Sequence, residues 1–494
     1  MNKPLRHVAV FCGLLMLALL IRANWIQHVA ADDLAHDDRN RRVLIDRFST
    51  PRGDIIAGGV SLTGSAVAEG SDLKYKRTYK KGPMYAPVTG YASQAMGSTL
   101  LEKTYDGVLS GTDDRLAFQR FTDVVLGKER RGGDVITTID PAAQEAGYKG
   151  LTRLGARGSV VALDPRTGKV LALVSTPSYD PSSFAGNTFK DSRRFRSLDA
   201  DKAKPLANRA LRETFPPGST FKILTAVAGL EHGVVTDVDA RSDAVSPYPL
   251  PQSTHRISSE AGDAVCDRAS LKTAMQYSCN NVFLDLALKL GPDRMRETAE
   301  KFGFNKDVYS ADFGDLRAVA SLYPKDLDKP GTALTGMGQG SLTSTPLQMA
   351  MITAAMANDG KVMQPHLVEQ VRAPDLNVME RHEPKVMSQA VSADTARKVR
   401  ELMEWTAKEG SARRALIDGV TVGGKTGTAQ RGVDVRKLVP YGWFVSYGVK
   451  PDGQSVAVAV FIDPTDMKIS REDISGGGLA GPIARSVMKA VLHK

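Results

Sequence analysis

The spacing of apolar residues changes at Gly158, and with it the kind of element that the sequence predicts. Before that point the chain is polar and rich in turn residues, and "RGDIIAGG" (52–59) is typical of short strands and loops. "GGDVITTIDPAAQEAG" (132–147) predicts a strand, a turn at Asp140–Pro141 and the start of a helix. "GSVVALDPRTGKVLALVSTPSYDP" (158–181) places two β-branched apolar runs around "DPRTG", which predicts a β-hairpin.

Apolar residues recur at helical spacing in four later segments. One follows "PPGSTFKILTA" (216–226), and the others are 271–291, 344–360 and 392–410, the last with a Ser cap and a terminal glycine. Strand-like runs fill residues 420–463, and the C-terminal "GPIARSVMKAVLHK" predicts a helix packed on their sheet. Strands, then helices, then strands and a helix predict an α+β fold with an antiparallel sheet.

The N-terminus carries an uncharged apolar run, Val8–Ile21, that follows Lys3 and Arg6. The run alone is short for a membrane span, but the next residues, with Trp25 at interfacial depth, extend it to spanning length. Residues 1–31 are therefore predicted to be an uncleaved signal anchor, with the N-terminus in the cytoplasm and the remaining chain outside. A cleaved signal peptide is the alternative, and it also predicts export.

Composition narrows the choice of partners. The 494 residues carry a net charge of +10, but the basic residues are scattered. No compact basic block, zinc-finger spacing or RNA-binding aromatic signature is found, which argues against nucleic acid. The charge is compatible with an ordinary soluble surface or with an acidic partner.

The cysteine content bears on the exported part of the chain. Besides Cys12 in the apolar run, the sequence has Cys266 and Cys279. In an oxidising compartment these two can form a disulfide that stabilises the fold by roughly 3 kcal/mol. Two buried free thiols are the alternative.

Ser219 and Lys222 form the first candidate for chemistry. Positions i and i+3 share one face of a helix, so the amine and the hydroxyl are expected to point to the same place. Ser-x-x-Lys also occurs at Ser71–Lys74 and Ser486–Lys489, and the more common interpretation of any single match is a solvated helix face. Here the following "ILTAVAGL" predicts a buried helix, and a partly dry lysine can lose its proton and act as a base.

Two further motifs are weak on their own. Ser278 and Asn280 flank Cys279 at the end of a helical run, where they can point into one cleft or simply cap backbone groups. "KTG" begins at Lys425 in a strand-like run, where the glycine permits a close approach or marks an edge strand with a bulge.

Taken together and in this order, Ser-x-x-Lys, Ser-x-Asn and Lys-Thr-Gly resemble the penicilloyl serine transferases. "LANRALRETFPPGSTFK", "GQGSLTSTPLQMAMITAAMANDGK" and "GWFVSYG" extend the resemblance to a class B penicillin-binding protein, most similar to the actinobacterial PbpA type. The resemblance implies the penicillin-binding transpeptidase fold. It also implies a non-catalytic, pedestal- or dimerisation-like module over 32–155 and a transpeptidase domain over 156–494.

The resemblance implies a D-Ala-D-Ala transpeptidase of peptidoglycan that serves cell-wall synthesis in growth or division and that β-lactams inhibit. The residues assigned catalytic roles are Ser219, Lys222, Ser278, Asn280 and Lys425. The residues assigned to substrate binding are Thr426, Gly427 and Thr428. Neither a cofactor nor a metal is implied.

In the implied mechanism Lys222 takes the proton of Ser219, whose oxygen attacks the penultimate D-Ala carbonyl. Backbone N–H groups of Ser219 and Thr428 form the oxyanion hole. Ser278 relays a proton to the leaving D-Ala nitrogen, and Asn280 orients the lysine. An amine of a neighbouring stem peptide then attacks the acyl-enzyme, and the family usually works beside a polytopic glycan polymerase of the SEDS type.

Three other functions compete with this interpretation. A β-lactamase or β-lactam sensor shares Ser-x-x-Lys, but it has no need of so long an N-terminal module. A non-catalytic scaffold of cell-wall synthesis is disfavoured by three intact motifs. A D,D-carboxypeptidase, with water as acceptor, cannot be separated from a transpeptidase by sequence.

Overall fold

The computed structural model describes residues 3–31, 34, 41–68, 72–116, 122, 126–127, 130–306, 316–432, 438–470 and 474–494. The α-helices, α1 to α16, are Lys3–His28, Arg41–Arg47, Gly82–Thr89, Leu100–Thr104, Asp106–Ser110, Pro141–Leu154, Phe189–Asp199, Arg209–Arg212, Lys222–Glu231, Asp263–Cys266, Leu271–Tyr277, Asn280–Lys301, Lys329–Gly336, Pro346–Met356, Ala393–Glu409 and Gly481–Leu492.

The strands, β1 to β18, are Ile55–Ala57, Val60–Ser61, Thr63–Val67, Tyr75–Tyr79, Ala92–Ser93, Gly97–Ser98, Asp134–Thr137, Arg157–Leu163, Val170–Thr176, Tyr248–Pro249, Arg256–Ile257, Lys361–Met363, Val368–Arg372, Val378–Arg381, Val386–Gln389, Thr421–Ala429, Tyr441–Val449 and Ser455–Asp463.

A five-stranded antiparallel sheet in the order β16-β17-β18-β8-β9 forms the centre of the C-terminal part. Its middle strand β18 is apolar at nearly every position because helices cover both faces. Ala459 and Phe461 belong to the core that includes α14, whereas Val458 and Val460 belong to the core that includes α16. The predicted hairpin, the closing helix and the antiparallel α+β fold are confirmed.

The predicted cap and terminal glycine of the helix over 392–410, and the predicted turn at Asp140–Pro141, are also confirmed. Ser392 caps α15 by accepting a hydrogen bond from the backbone N–H of Thr395, and Gly410 ends that helix. Asp140 caps α6 by accepting from the N–H groups of Ala142 and Ala143. These local side-chain caps satisfy backbone donors at the start of each helix, which is why sequence alone locates them.

A second five-stranded sheet, in the order β14-β13-β7-β1-β2, combines distant parts of the chain. β7 pairs in parallel with β1 and antiparallel with β13. β13 and β14 lie within the predicted catalytic segment 156–494, yet they complete a sheet whose other strands lie in 32–155. This pairing was not predicted, because strand alternation does not specify which distant edge a strand will join.

A buried charge cluster joins the elements of the N-terminal part. The carboxylate of Glu102 accepts hydrogen bonds from Arg52 at 3.0 Å and from Arg77 at 2.5 Å, and all three side chains are fully buried. Burial by itself raises the pKa of Glu102, but the charges of Arg77 and Arg52 outweigh burial and hold that pKa below its usual range.

Glu102→Ala is therefore expected to lower the free energy of unfolding by about 3–5 kcal/mol, since it leaves the buried guanidinium of Arg77 without its counter-ion and leaves Arg52 with Asp106 alone. Urea unfolding followed by circular dichroism measures the loss. Glu145→Ala is the control, because Glu145 pairs with Lys149 at the surface and its removal is expected to change little. Equal destabilisation by both variants would contradict the role given to the cluster.

Helix α1 is the one helix, within the described residues, that is long and apolar enough to cross a membrane. It has 26 residues, an 18-residue window with a mean hydropathy of 2.0, and no buried side chain. The protein thus carries an N-terminal helix suited to single-pass anchoring. Residues 1 and 2 of the predicted anchor, and several stretches between 32 and 130, lie outside the described residues.

Candidate active site

Ser219 lies in a 3₁₀ turn, Gly218–Phe221, that leads directly into α9. Gly218 has φ +54°, and a Cβ atom there would lie 3.0 Å from the carbonyl oxygen of Thr428. Glycine thus allows the turn to pack against β16. The Thr220 hydroxyl donates to the Pro217 carbonyl at 2.6 Å and fixes the turn, while Ser219 stays partly exposed. The turn therefore presents the Ser219 hydroxyl next to the Lys-Thr-Gly strand.

Lys222 begins α9 and is fully buried. Its Nζ donates to the Ser278 carbonyl oxygen at 2.7 Å, to Asn280 Oδ1 at 2.8 Å and to Ser278 Oγ at 3.2 Å. All three acceptors are neutral, so none compensates a positive charge as a carboxylate does. Burial, helped by the nearby charge of Lys425, lowers the pKa of Lys222 well below its usual range. This lysine is suited to act as a base.

The Ser-x-Asn motif occupies the break between α11 and α12. Ser278 ends α11 in the left-handed region, with φ +59°, and Cys279 is extended before Asn280 starts α12. Cys279 is joined to Cys266 by a disulfide, so the motif is covalently tied to the end of α10. This backbone path brings the Ser278 carbonyl and the Asn280 side chain to the same amine.

Lys425 lies on β16, at the edge of the central sheet, and is also fully buried. Its Nζ donates to Ser278 Oγ at 2.9 Å and to the Thr426 carbonyl at 3.0 Å. Burial lowers the pKa of Lys425 to about 7. The Ser278 hydroxyl thus lies between two lysine amines, a geometry that can carry a proton between them.

Gly427 faces the serine turn. A Cβ atom there would lie 3.0 Å from Thr220 and 3.1 Å from the Cβ of Trp443. The indole of Trp443 in turn donates to the Pro216 carbonyl at 2.9 Å. β16 pairs with β17 without a register shift, so the glycine-bulge alternative is wrong, although the strand is indeed an edge.

The structure brings together the side chains of Lys222, Ser278, Asn280 and Lys425, and packs the turn that carries Ser219 against the Lys-Thr-Gly strand.

Thr426 and Thr428 remain partly exposed on β16, and the Thr426 hydroxyl donates to Ser411 at 3.0 Å. Ser219 and Lys222 do not share one α-helix as predicted: Ser219 lies in the 3₁₀ turn, and Lys222 is the first residue of α9.

Sequence reasoning missed the segment that holds Asn280. The Asn280 amide donates to the Ser258 carbonyl at 2.8 Å, and its backbone N–H donates to Ser259 Oγ at 2.8 Å. The only signal in the sequence is the polar run "SSE" at 258–260, and it has no spacing that ties it to a motif 20 residues away.

Two family models match the chain. The penicillin binding protein transpeptidase domain matches residues 158–489, and the penicillin binding protein A dimerisation domain matches residues 52–135. The fold and the site therefore define a penicillin-binding transpeptidase domain, a class of serine acyltransferase.

Individual relatives are similar to this chain over its whole length. The peptidoglycan D,D-transpeptidases PbpA of Mycolicibacterium smegmatis and Mycobacterium tuberculosis are each 38% identical, covering 100% of this chain and 100% and 99% of theirs. The ceftriaxone acyl-enzyme complex of M. tuberculosis penicillin-binding protein A superposes with a TM-score of 0.85 at 36% identity, over 91% of this chain and 100% of that one. Its imipenem acyl-enzyme complex gives 0.82, with the same identity and coverage. This chain belongs to the PbpA family of penicillin-binding transpeptidases, and the resemblance found in the sequence is confirmed.

Proposed function

We propose that this protein cross-links peptidoglycan stem peptides as a D,D-transpeptidase, through an acyl-enzyme on Ser219. The observation that carries the proposal is the buried amine of Lys222, which follows Ser219 by three residues and has only neutral hydrogen-bond partners. Burial among neutral partners lowers the pKa of this amine and favours its uncharged form, which can remove the proton of a hydroxyl.

Acylation replaces the amide C–N bond of the substrate with an ester bond to Ser219 and moves the Ser219 proton to the leaving nitrogen. Lys222 takes the proton of Ser219 as its oxygen attacks the penultimate D-Ala carbonyl, and the backbone N–H groups of Ser219 and Thr428 stabilise the oxyanion. The amide C–N bond then breaks, and the proton passes through Ser278 to the leaving D-Ala nitrogen. The position of Ser278 Oγ, 3.2 Å from Lys222 Nζ and 2.9 Å from Lys425 Nζ, supports this relay.

The substrate's terminal carboxylate is placed at the Lys-Thr-Gly strand. Lys425 supplies positive potential there, the hydroxyls of Thr426 and Thr428 donate hydrogen bonds, and Gly427 leaves room for the peptide. Both threonines are partly exposed, as binding requires. A β-lactam presents a carboxylate and an acyl donor to the same groups and leaves an ester on Ser219.

Intact-protein mass spectrometry of the full chain in detergent, treated with penicillin G, tests the proposal. We expect one adduct that persists for many minutes and maps to the peptide that contains Ser219. Rapid loss of the adduct with turnover of the drug would instead indicate a β-lactamase, and an adduct on another peptide would exclude Ser219 as the nucleophile.

The pH dependence of acylation follows from the two lysines. Acylation needs a neutral Lys222 and a charged Lys425, so its rate rises with pH as Lys222 loses its proton and falls again as Lys425 does. The alkaline limb is expected near pH 7, where Lys425 titrates. Stopped-flow measurement of penicillin G acylation between about pH 5 and about pH 9 gives the profile. Lys425→Arg should remove the alkaline limb, since a guanidinium stays charged, and a limb that persists there would contradict the assignment.

We also propose that residues 1–31 anchor the protein in the cell membrane with the N-terminus in the cytoplasm and the catalytic domain outside. The apolar length of α1 and the positive charges of Lys3 and Arg6 before it support this orientation. Protease added to intact cells is expected to remove the C-terminal domain, and its protection would contradict the topology.

The segment 32–155 is proposed as a non-catalytic module and 156–494 as the catalytic domain. The separate match of residues 52–135 to a dimerisation domain supports this division. We further propose that the anchor and the module recruit a polytopic SEDS-type glycan polymerase. Co-purification of such a polymerase, and stimulation of its activity, are the expected results; absence of both would count against it.

A further inference from the structure

Glu260 lies at the edge of the active site without belonging to its network of hydrogen bonds. It directly follows Ser258 and Ser259, both of which bind Asn280 at 2.8 Å. Asn280 in turn accepts from Lys222 at 2.8 Å. Glu260 is thus one residue away from a direct ligand of the Ser-x-Asn motif.

The segment that carries Glu260 is held in place on both sides. The N–H of Gly262 donates to the Ser259 carbonyl at 3.0 Å, and the Ser258 hydroxyl donates to Asp263 at 3.3 Å. The disulfide at Cys266 then ties the following helix, α10, to the motif. The backbone at residue 260 therefore has a defined position relative to the cleft.

The Glu260 side chain is available to bind a ligand. It is exposed, and no ion pair or hydrogen bond involves its carboxylate within the parts of the chain that the structure describes. The negative charge of Glu260 nevertheless acts on both active-site amines. It raises the pKa of Lys222 and that of Lys425, whereas burial lowers both. The segment bonded to Asn280 thus carries a carboxylate that is near enough for its charge to act on both lysines.

The acceptor amine in transpeptidation is positively charged when it arrives, and a carboxylate near the active site can bind it. A side-chain amine with a pKa of about 10.4 arrives as an ammonium ion at neutral pH. Lys425 repels such an ion, and Lys222 does so whenever it is protonated, as during proton transfer. A carboxylate at the edge of the cleft offsets that repulsion and offers a hydrogen-bond acceptor.

We propose that Glu260 binds the protonated amine of the acceptor stem peptide and directs it to the acyl-enzyme; this rests on the proposed transpeptidation. The ammonium gives up one proton to solvent before attack. Its nitrogen then forms the new amide bond as the ester bond to Ser219 breaks, and its second proton passes to the Ser219 oxygen. Glu260 is a specificity-determining residue for the acceptor and has no part in forming the acyl-enzyme.

The test separates the two halves of the reaction in Glu260→Gln, using the full chain in detergent. Acylation is measured with penicillin G. Acceptor use is measured with a thioester acyl donor and a synthetic stem peptide carrying a free side-chain amine, as the ratio of aminolysis to hydrolysis. We expect this ratio to fall about tenfold. Acylation is compared at about pH 6, because loss of the carboxylate lowers the pKa of Lys425 as well as that of Lys222, and at this pH Lys425 stays charged; we expect acylation there to be no slower than in the wild type. Glu260→Asp should recover part of the ratio.

Glu383→Gln is the matched control, since it removes the same charge from another exposed position and should leave both measurements as in the wild type. A ratio in Glu260→Gln within twofold of wild type would overturn the inference. So would parallel loss of acylation and aminolysis, which would show that Glu260 acts on the lysines or on the loop. If wild type forms no penicillin G adduct on Ser219, the proposed function itself fails, whereas a normal adduct with an unaffected ratio rejects only the acceptor role.

Discussion

Ser219→Ala is expected to abolish the covalent adduct with penicillin G and all cross-linking by the purified protein. The nucleophilic oxygen is removed, and the other hydroxyl of the turn Gly218–Phe221, that of Thr220, is buried and donates to the Pro217 carbonyl. Loss of a serine nucleophile in an acyl-transfer site lowers the rate on the order of 10⁶-fold, which places the remaining activity below detection. Intact mass spectrometry after prolonged incubation measures the adduct directly.

Ser486→Ala provides a matched control within the same chain. Ser486 begins another Ser-x-x-Lys sequence, on α16, where its exposed hydroxyl donates to the Pro482 carbonyl at 2.9 Å. That variant should form the adduct at the wild-type rate. Adduct formation by Ser219→Ala, or its loss in Ser486→Ala, would show that the nucleophile has been misassigned.

Lys222→Arg is expected to slow acylation by about 10³- to 10⁴-fold, although it conserves the positive charge and the ability to donate hydrogen bonds. A guanidinium stays protonated at any accessible pH and cannot take the proton of Ser219. The residual rate should also lose its acid limb, because the group whose deprotonation produces that limb is gone. Stopped-flow kinetics with penicillin G over the same pH range gives both results.

Two comparisons make this result specific. Lys489→Arg alters the lysine of the surface Ser-x-x-Lys sequence and should leave the rate unchanged. Circular dichroism spectra and unfolding midpoints of the variants show whether Lys222→Arg still folds. A folded Lys222→Arg protein that acylates within tenfold of wild type would mean that the lysine serves as a positive charge and that another group is the base.

The sequence by itself determined the elements whose signals are local. The strands around "DPRTG", the Ser392 cap and the Asp140 turn are each specified by a few neighbouring residues, and each formed where predicted. The order of the three motifs also identified the family. These features are recoverable because side-chain periodicity and capping depend on contacts within one or two turns of the chain.

The sequence predicted a partly dry Lys222 from the apolar run that follows it, but only the tertiary structure decided that both lysines are fully buried and which groups they contact. Full burial, and not the Ser-x-x-Lys spacing, lowers the pKa of Lys222, since an identical spacing at Ser486–Lys489 lies on the surface. The contacts of Asn280 with 258–259, the position of Glu260 and the pairing of β13 with β7 likewise join residues far apart in sequence. Desolvation and long-range pairing depend on everything packed around a residue, which no local pattern encodes.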